Sequence, residues 1–198
     1  MSSHPLLAIQ CLVYNHAPYL RQCLDGFVIQ QTNFPFVAIV HDDASTDESA
    51  SIIREYAIKY PEIIKPIYET ENQYCKPDGS FTRIMNKAIE ESGCKYIAFC
   101  EGDDYWTDPL KLQKQVDFLE ANKEYSLCCH RFQIYNEFNN SWENDWLGDL
   151  FDESPTGITF TNKENYHSWL TKTVTLVYRC AMVNHSDLLK YRYCRDVH

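Results

Sequence analysis

Short apolar runs alternate with segments of helical periodicity through the first two thirds of the chain, and this alternation constrains the fold more than any other feature. Four apolar runs have the length and flanking residues of buried strands, at positions 6–13, 36–40, 63–68 and 96–100. Four longer segments repeat apolar residues at three- and four-residue intervals, as amphipathic helices do, at positions 19–30, 45–60, 80–92 and 109–122. This order predicts an α/β fold, with a mostly parallel central sheet that carries helices on both faces.

Proline and polar residues mark several of the predicted helix ends. Pro18 suits the first turn of the first helix, and Pro61 ends the second. Ser45 is followed three residues later by Glu48, which is the spacing of a capping box. The second helix is therefore predicted to begin at Ser45.

The pattern changes in the last third of the chain. Apolar and β-branched residues predict strands at 125–135 and 173–179, and helical spacing predicts a helix at 184–193. An irregular acidic stretch between the strands contains Trp142 and Trp146. These tryptophans are candidates either for a surface that stacks on sugar rings or for anchors of the loop itself, and the sequence does not separate the two.

Length and charge limit the classes of function. The chain has 198 residues and a formal net charge of −10, which fits a single domain and argues against nucleic-acid binding. An acidic protein can still bind a small phosphorylated ligand if a divalent cation lies between the two. The nine cysteines lack CxxC spacing, so we expect reduced, mostly buried thiols and a cytoplasmic location. Because the sequence stops within a helix-like segment, we expect a C-terminal truncation.

Three polar clusters follow predicted strands, at positions 14–16, 41–43 and 101–104. Ligands of α/β sheets bind beyond the carboxyl ends of the strands. The three clusters are therefore predicted to line one crevice.

The last of these clusters carries the strongest chemical signal. Glu101, Asp103 and Asp104 place three carboxylates within four residues, and such crowding is relieved by a bound cation. Mg²⁺ or Mn²⁺ binds one or two carboxylates together with substrate phosphate oxygens, and Gly102 permits a sharp turn. The alternative is a solvated acidic loop that precedes the next helix.

Other candidates for ligand contacts are less specific. Asp42 and Asp43 end a strand, where a carboxylate can accept a hydrogen bond from a base or ribose, or can cap a helix. Tyr14 offers either an aromatic face for a nucleobase or an ordinary core side chain. Arg83 could contact phosphate or belong to a solvated helix face.

Taken together, these segments resemble the family 2 glycosyltransferases, which have the GT-A fold. The resemblance is carried by an ordered set of motifs: residues 7–15, residues 19–31, the segment 40–47 with its DD-x-S-T-D motif, Glu71-Asn72, residues 83–88 and the acidic segment at 96–104. It covers residues 6–130 well and the remainder loosely.

The resemblance implies a role for each matching residue. Donor and nucleotide contacts are implied for Leu12, Tyr14, Asp42, Asp43, Asn72, Arg83 and Asp103. Metal contacts are implied for Asp103, Asp104 and Glu101, with Mn²⁺ or Mg²⁺ as the cofactor. The family motif usually begins with Asp, and Glu101 departs from it by one methylene. The base that deprotonates the acceptor is expected at Asp196, although the preceding Arg195 departs from the family pattern.

The implied function is an inverting transfer of sugar from a nucleotide diphosphate-sugar, with a UDP-sugar favoured, to the hydroxyl of a saccharide or lipid-linked saccharide. Residues 1–198 would form one catalytic domain, in which 1–124 bind the nucleotide-sugar and 125–198 form the acceptor side. The resemblance also allows peripheral association with the inner face of the membrane through a missing C-terminal segment.

Two other functions fit parts of the sequence. A non-catalytic nucleotide-binding module would account for the early end of the chain. A nucleotidyltransferase would share the crevice and the metal, but it needs a glycine-rich, basic loop after the first strand, and residues 14–18 are not such a loop. P-loop and GxGxxG motifs are absent from the sequence.

Overall fold

A six-stranded sheet forms the centre of the protein in a computed structural model that describes residues 4–148 and 157–182. The strands of this sheet lie in the order β3-β2-β1-β4-β8-β5. They are β1 (Leu7–Val13), β2 (Phe36–Asp42), β3 (Ile64–Tyr68), β4 (Tyr96–Phe99), β5 (Leu127–Cys128) and β8 (Val177–Arg179). The first four pair in parallel, whereas β8 runs antiparallel to both β4 and β5. This confirms the predicted α/β fold with a mostly parallel sheet.

The remaining elements comprise helices and one separate hairpin. The helices are α1 (Ala17–Val28), α2 (Ser49–Lys59), α3 (Ser80–Ser92), α4 (Lys111–Ala121) and α5 (Asn162–Ser168), with 3₁₀ turns at Thr173–Thr175 and Cys180–Met182. The hairpin pairs β6 (Gln133–Asn136) with β7 (Ser141–Asn144) outside the main sheet. Within 4–148 and 157–182, no helix is both long and apolar enough to span a bilayer.

Alternate side chains of the central strands pack on opposite faces of the sheet, as the two-residue strand period requires. Leu7 and Ile9 of β1 belong to the larger core cluster, together with side chains of α1, α2 and α4. Ala8 lies between them in sequence and packs on the other face with Met85 and Ile89 of α3. The helices therefore cover both faces.

The last third of the chain differs from its prediction. Residues 125–135 form two short strands in different sheets, β5 and β6, instead of one. The predicted strand at 173–179 begins with a 3₁₀ turn, so only β8 joins the sheet, and it joins antiparallel. Apolar runs do not reveal strand direction, because direction depends on which distant partner supplies the hydrogen bonds. The predicted helix at 184–193 lies outside the described residues.

Arg179 at the end of β8 fastens this antiparallel part to the rest of the sheet. Its buried guanidinium donates to the carbonyl oxygen of Tyr125 (2.9 Å), to the hydroxyl of Tyr96 (2.9 Å) and to the carbonyl oxygen of Leu119. The Tyr96 hydroxyl in turn donates to Glu120 Oε1 at 2.8 Å. One side chain thus joins β4, α4 and the segment before β5.

Replacing Arg179 with Met should therefore destabilise the fold. Met keeps most of the aliphatic volume but leaves buried carbonyl oxygens without donors, which predicts a loss of about 3 kcal/mol in the free energy of unfolding. Urea denaturation followed by circular dichroism measures this loss. Arg54→Met on the exposed side of α2 is the control. A loss below about 1 kcal/mol for Arg179→Met would show that these hydrogen bonds contribute little.

Candidate functional site

Two tight turns beyond β1 and β2 are hydrogen-bonded to each other. Asn15 and Ala44 both adopt left-handed backbone conformations, with φ of 59° and 63°. The Asn15 N–H donates to Ser45 Oγ at 2.9 Å, and Asn15 Oδ1 accepts from the Thr46 N–H at 2.7 Å. The turn after β1 is therefore fixed against the turn after β2.

Asp47 joins the starts of the two helices that follow these turns. Its carboxylate accepts hydrogen bonds from the N–H groups of Ala17 (3.0 Å) and Ser49 (2.9 Å). Partial burial acts to raise the pKa of Asp47, but the hydrogen bonds from Ser49 and Ala17 outweigh it and lower the pKa.

The predicted capping box is wrong. Glu48 occupies the N-cap position of α2 and makes no side-chain cap hydrogen bond. Ser45 lies four residues before the first residue of α2, and its hydroxyl accepts from Asn15 in the neighbouring turn. The DD-x-S-T-D spacing therefore connects two loops rather than starting a helix.

Asp43 holds the loop that follows β3. Its Oδ1 and Oδ2 accept from the backbone N–H groups of Gln73 (2.6 Å) and Tyr74 (2.9 Å). Asn72 adds a 3.4 Å hydrogen bond from its amide to the Asp43 carbonyl oxygen. Both residues predicted to contact the nucleotide thus also have a structural role. The remaining lone pairs of the Asp43 carboxylate can accept further donors.

Asp42 and His41 are buried with unsatisfied polar atoms. Asp42 is only 3% exposed, and its Oδ1 has no hydrogen-bond partner. His41 is fully buried, neither ring nitrogen is hydrogen-bonded, and Nε2 lies 3.5 Å from Glu69 Oε1. Buried polar atoms are usually satisfied, so this exception next to Asp43 is a feature expected of a ligand site.

The acidic loop beyond β4 lies directly against the end of β1. The Gly102 N–H donates to the Leu12 carbonyl oxygen at 2.9 Å, which assigns Leu12 a backbone contact beside the crevice. A Cβ on residue 102 would lie 2.7 Å from His16 Nδ1 and 3.0 Å from Val13 Cγ2. Only glycine therefore fits this close approach.

The carboxylates of this loop differ in their surroundings. Asp103 is exposed, and its Oδ1 lies 3.9 Å from His16 Nδ1. Burial and the neighbouring Asp103 charge raise the pKa of Asp104 to about 6, while Lys172 acts in the opposite direction. Glu101 is half-buried. Among residues 4–148 and 157–182, no group of three or more His, Cys, Asp or Glu side chains is arranged to hold a metal alone.

A buried network of Trp106, Lys111 and Gln115, which follow the acidic loop in the chain, was not predicted from the sequence. Trp106 donates from Nε1 to the Val174 carbonyl oxygen at 2.8 Å, and Lys111 Nζ lies 4.0 Å from the Trp106 ring centroid. Lys111 donates to Gln115 Oε1 at 2.7 Å, and the Gln115 amide donates to the Thr175 carbonyl oxygen at 2.9 Å. Lys111 and Gln115 are polar residues four apart in a helix, a spacing that does not by itself predict burial.

Tyr14, Arg83 and Asp196 were also predicted as site residues, and each has a different outcome. Tyr14 is 46% exposed, which excludes core packing and leaves its ring open to a ligand. Arg83 is exposed at the start of α3, where it donates to the Asp78 carbonyl oxygen at 2.6 Å and does not join the two carboxylate clusters. Asp196 lies outside the described residues.

Comparison with known proteins identifies the family. The family model described as "Glycosyl transferase family 2" matches residues 11–192. The chain belongs to glycosyl transferase family 2. Its GT-A fold agrees with solved structures of glycosyltransferases. TarS from S. aureus, residues 1–349, matches with a TM-score of 0.67 at 20% identity, over 96% of this chain and 52% of TarS.

Curated relatives match about two thirds of the chain. An uncharacterised protein of Mycobacterium tuberculosis is 43% identical over 131 residues, which are 66% of this chain and 36% of that protein. The putative glycosyltransferase EpsE of Bacillus subtilis is 29% identical over 138 residues, or 70% of this chain and 47% of EpsE. The chain thus spans about a third to a half of the length of these two relatives.

Lys111 should make stability depend on pH. Burial lowers its pKa to about 7, although nearby cysteines act to raise it. Between about pH 7 and pH 10 the unfolded chain binds a proton at this lysine that the folded chain has lost, so the free energy of unfolding should rise with pH. Denaturant titrations across this range, with Lys111→Met as the comparison, measure the contribution. Parallel pH profiles for the two proteins would contradict the assignment.

Proposed function

We propose that the chain transfers a sugar from a nucleotide diphosphate-sugar, with a UDP-sugar favoured, to an acceptor hydroxyl by metal-assisted inverting displacement. One observation supports this most directly. The Asp43 N–H donates to the Val13 carbonyl oxygen and the Gly102 N–H to the Leu12 carbonyl oxygen, each at 2.9 Å. Consecutive residues of β1 therefore bring the two carboxylate loops to one edge of the sheet.

The acidic loop fits a divalent cation. Burial is the larger cause of the raised pKa of Asp104 and the Asp103 charge adds to it, and a bound cation would offset both effects. Asp103 and Asp104 would hold Mn²⁺ or Mg²⁺, with Glu101 as the third candidate. One or two protein carboxylates suffice when substrate phosphates supply further ligands. A cation held there would stabilise negative charge on the departing diphosphate.

The other predicted residues would bind the nucleotide. The exposed ring of Tyr14 would stack on the base, and Asp43 would accept from the base or ribose beside Asp42. Asn72 would hold the loop at the same edge, whereas Arg83 would reach phosphate only after leaving Asp78. In this proposal residues 1–124 form the donor half and 125–198 the acceptor half of one catalytic domain.

Two similar proteins of solved structure support the proposed substrate class. One TarS structure is described as a complex with UDP-GlcNAc, and it matches with a TM-score of 0.64 over 91% of this chain. The mannosyltransferase PcManGT from Pyrobaculum calidifontis is described as a complex with GDP-Man and Mn²⁺, with a TM-score of 0.53 over 70% of this chain. The proposal extends nucleotide-sugar and metal binding to this chain.

The proposed reaction is a single displacement. The acceptor hydroxyl forms a bond to the anomeric carbon as the bond to the diphosphate breaks, which inverts the configuration. A carboxylate takes the hydroxyl proton, and Asp196 is the proposed base. The acceptor is proposed to be a saccharide or lipid-linked saccharide.

The proposal also includes a cytoplasmic location, at the inner face of the membrane if a segment outside this chain provides an attachment. The supporting observation is that cysteines of the described residues, such as Cys11, Cys23 and the exposed Cys75, are free thiols. Several free thiols in one chain are usual for proteins of reducing compartments.

Metal-dependent nucleotide binding tests the proposal. Mn²⁺ should tighten the binding of UDP at least about tenfold in calorimetry, because the cation joins carboxylates to phosphates that otherwise repel. Asp104→Asn and Asp103→Asn should remove most of this gain. Asp117→Asn on the exposed side of α4 makes the same charge change away from the site and should leave the gain intact.

The outcomes separate the possible functions. If neither UDP nor GDP binds more tightly with Mn²⁺ or Mg²⁺, the proposal is wrong. Metal-dependent binding without release of UDP from UDP-sugars, in the presence of saccharides, would instead indicate a non-catalytic nucleotide-binding module.

A further inference from the structure

The hairpin of β6 and β7 presents two aromatic rings to solvent on one face. Tyr135 and Trp142 are paired directly across the strands, with ring centroids 5.0 Å apart. Trp142 is 54% exposed and Tyr135 is 43% exposed, so the rings cover each other only in part. Two adjacent exposed aromatic rings on one face are unusual for a surface that binds nothing.

The same face carries hydrogen-bonding groups beside the rings. Gln133 is paired with Asn144, two residues along each strand, and alternate residues of a strand share a face. The Gln133 amide donates to Asn144 Oδ1 at 3.1 Å, and each amide keeps a further hydrogen-bonding atom. The face therefore combines apolar ring surface with neutral donors and acceptors.

The hairpin is fixed at its base by an ion pair between the exposed Arg131 and the buried Asp145. The Arg131 guanidinium donates from Nε and Nη2 to the two oxygens of Asp145, both at 2.9 Å. Asp145 also accepts from the N–H groups of Phe132 and Leu147, at 3.2 Å and 2.9 Å. A bidentate pair with these extra hydrogen bonds holds the two strands in one orientation.

The tip of the hairpin reaches the donor side of the molecule. Tyr19 in the first turn of α1 donates from its hydroxyl to Glu137 Oε1 at 2.6 Å. The residue before this helix is His16, whose Nδ1 lies 3.9 Å from Asp103 Oδ1. The hairpin is thus connected through the start of α1 to the acidic loop.

Trp142 and Trp146 differ in their contacts. Trp146 is the anchor, since it packs edge-on against Phe132 at 5.0 Å and donates to the Trp169 carbonyl oxygen at 3.2 Å. Trp142 contacts only its hairpin partner Tyr135 among the ring contacts of the described residues. Trp142 at 54% and Trp146 at 50% are similarly exposed, so the distinction rests on their contacts: Trp142 lies on the hairpin face beside Tyr135, whereas Trp146 is bonded to another segment.

We propose that the Tyr135–Trp142 face binds the acceptor as a neutral saccharide chain, with sugar rings stacked on the two aromatic rings. This rests on the proposed function, which requires an acceptor hydroxyl close to the donor. Aromatic faces with neighbouring amides match the apolar C–H face and the hydroxyl rim of a sugar ring. Among residues 131–148 the charges of Arg131 and Asp145 offset each other, and Glu137 and Glu143 leave the segment negative, which disfavours a phosphate-bearing chain.

Calorimetry with five neutral hexasaccharides tests this site: cellohexaose, maltohexaose, xylohexaose, mannohexaose and chitohexaose, with poly(glycerol phosphate) as the charged comparison. At least one hexasaccharide should bind the 198-residue chain, and Trp142→Ala should weaken that binding about tenfold. Trp142→Phe keeps a ring, and Ile134→Ala alters the opposite face of the same hairpin, where Ile134 is 40% exposed. Both should remain within about twofold of the unaltered chain.

Several results would overturn the proposal. These are no binding by any of the five hexasaccharides, binding of poly(glycerol phosphate) alone, equal losses for Trp142→Ala and Ile134→Ala, or a dimer in light scattering that Trp142→Ala dissociates. UDP binding with Mn²⁺ is measured on the same samples and should not change in these variants. If the unaltered chain does not bind UDP with Mn²⁺, the result contradicts the proposed donor site and not the proposed saccharide site on the hairpin.

Discussion

The carbonyl oxygens at the end of β1 are the point on which the site depends. Leu12 and Val13 accept from Gly102 and Asp43, so the loops after β4 and β2 are both hydrogen-bonded to the central strand. Parallel pairing in register along β1 brings these loops to the same edge, because the strand ends themselves are aligned. Without that alignment the carboxylates would be separate surface features.

Electrostatics explain why this edge suits a cation and a phosphorylated donor. The chain is acidic overall. At the Asp104 carboxyl, burial and the neighbouring Asp103 charge both disfavour the ionised form. The nearby Lys172 offsets this only in part. A divalent cation would convert the mutual repulsion of protein and diphosphate into attraction, which is the physical reason why the proposed nucleotide site can be acidic.

The sequence predicted the part of the fold that depends on local pattern. The four parallel strands and the helices between them follow from periodicity, and the acidic loop follows from its place after β4. The sequence could not predict the antiparallel direction of β8, because that direction depends on distant pairing. Nor could it predict the buried hydrogen bond between Lys111 and Gln115, because their burial depends on tertiary packing. The capping box predicted at Ser45 is wrong because α2 begins only at Ser49, and the Ser45 hydroxyl instead accepts from the turn after β1.

The site divides in the same way. Asp43 and Asp103 were found as strand-end carboxylates, but the hydrogen bonds of Asp43 to the loop after β3 come from backbone geometry that no motif encodes. Trp142 of the hairpin and Trp146 just after it could be told apart only from their contacts, since both lie in one acidic stretch.

Paramagnetic relaxation by Mn²⁺ in the presence of UDP tests the central claim, that the loops at the end of β1 form one donor site. In nuclear magnetic resonance spectra, amide signals of residues 14–16, 43–47 and 101–105 should broaden together as Mn²⁺ is added. The signal of Ile58 near the far end of α2 should broaden much less, because paramagnetic relaxation falls steeply with distance and ten residues of helix span about 15 Å. Broadening of 101–105 alone, with 14–16 and 43–47 unaffected, would contradict a shared site.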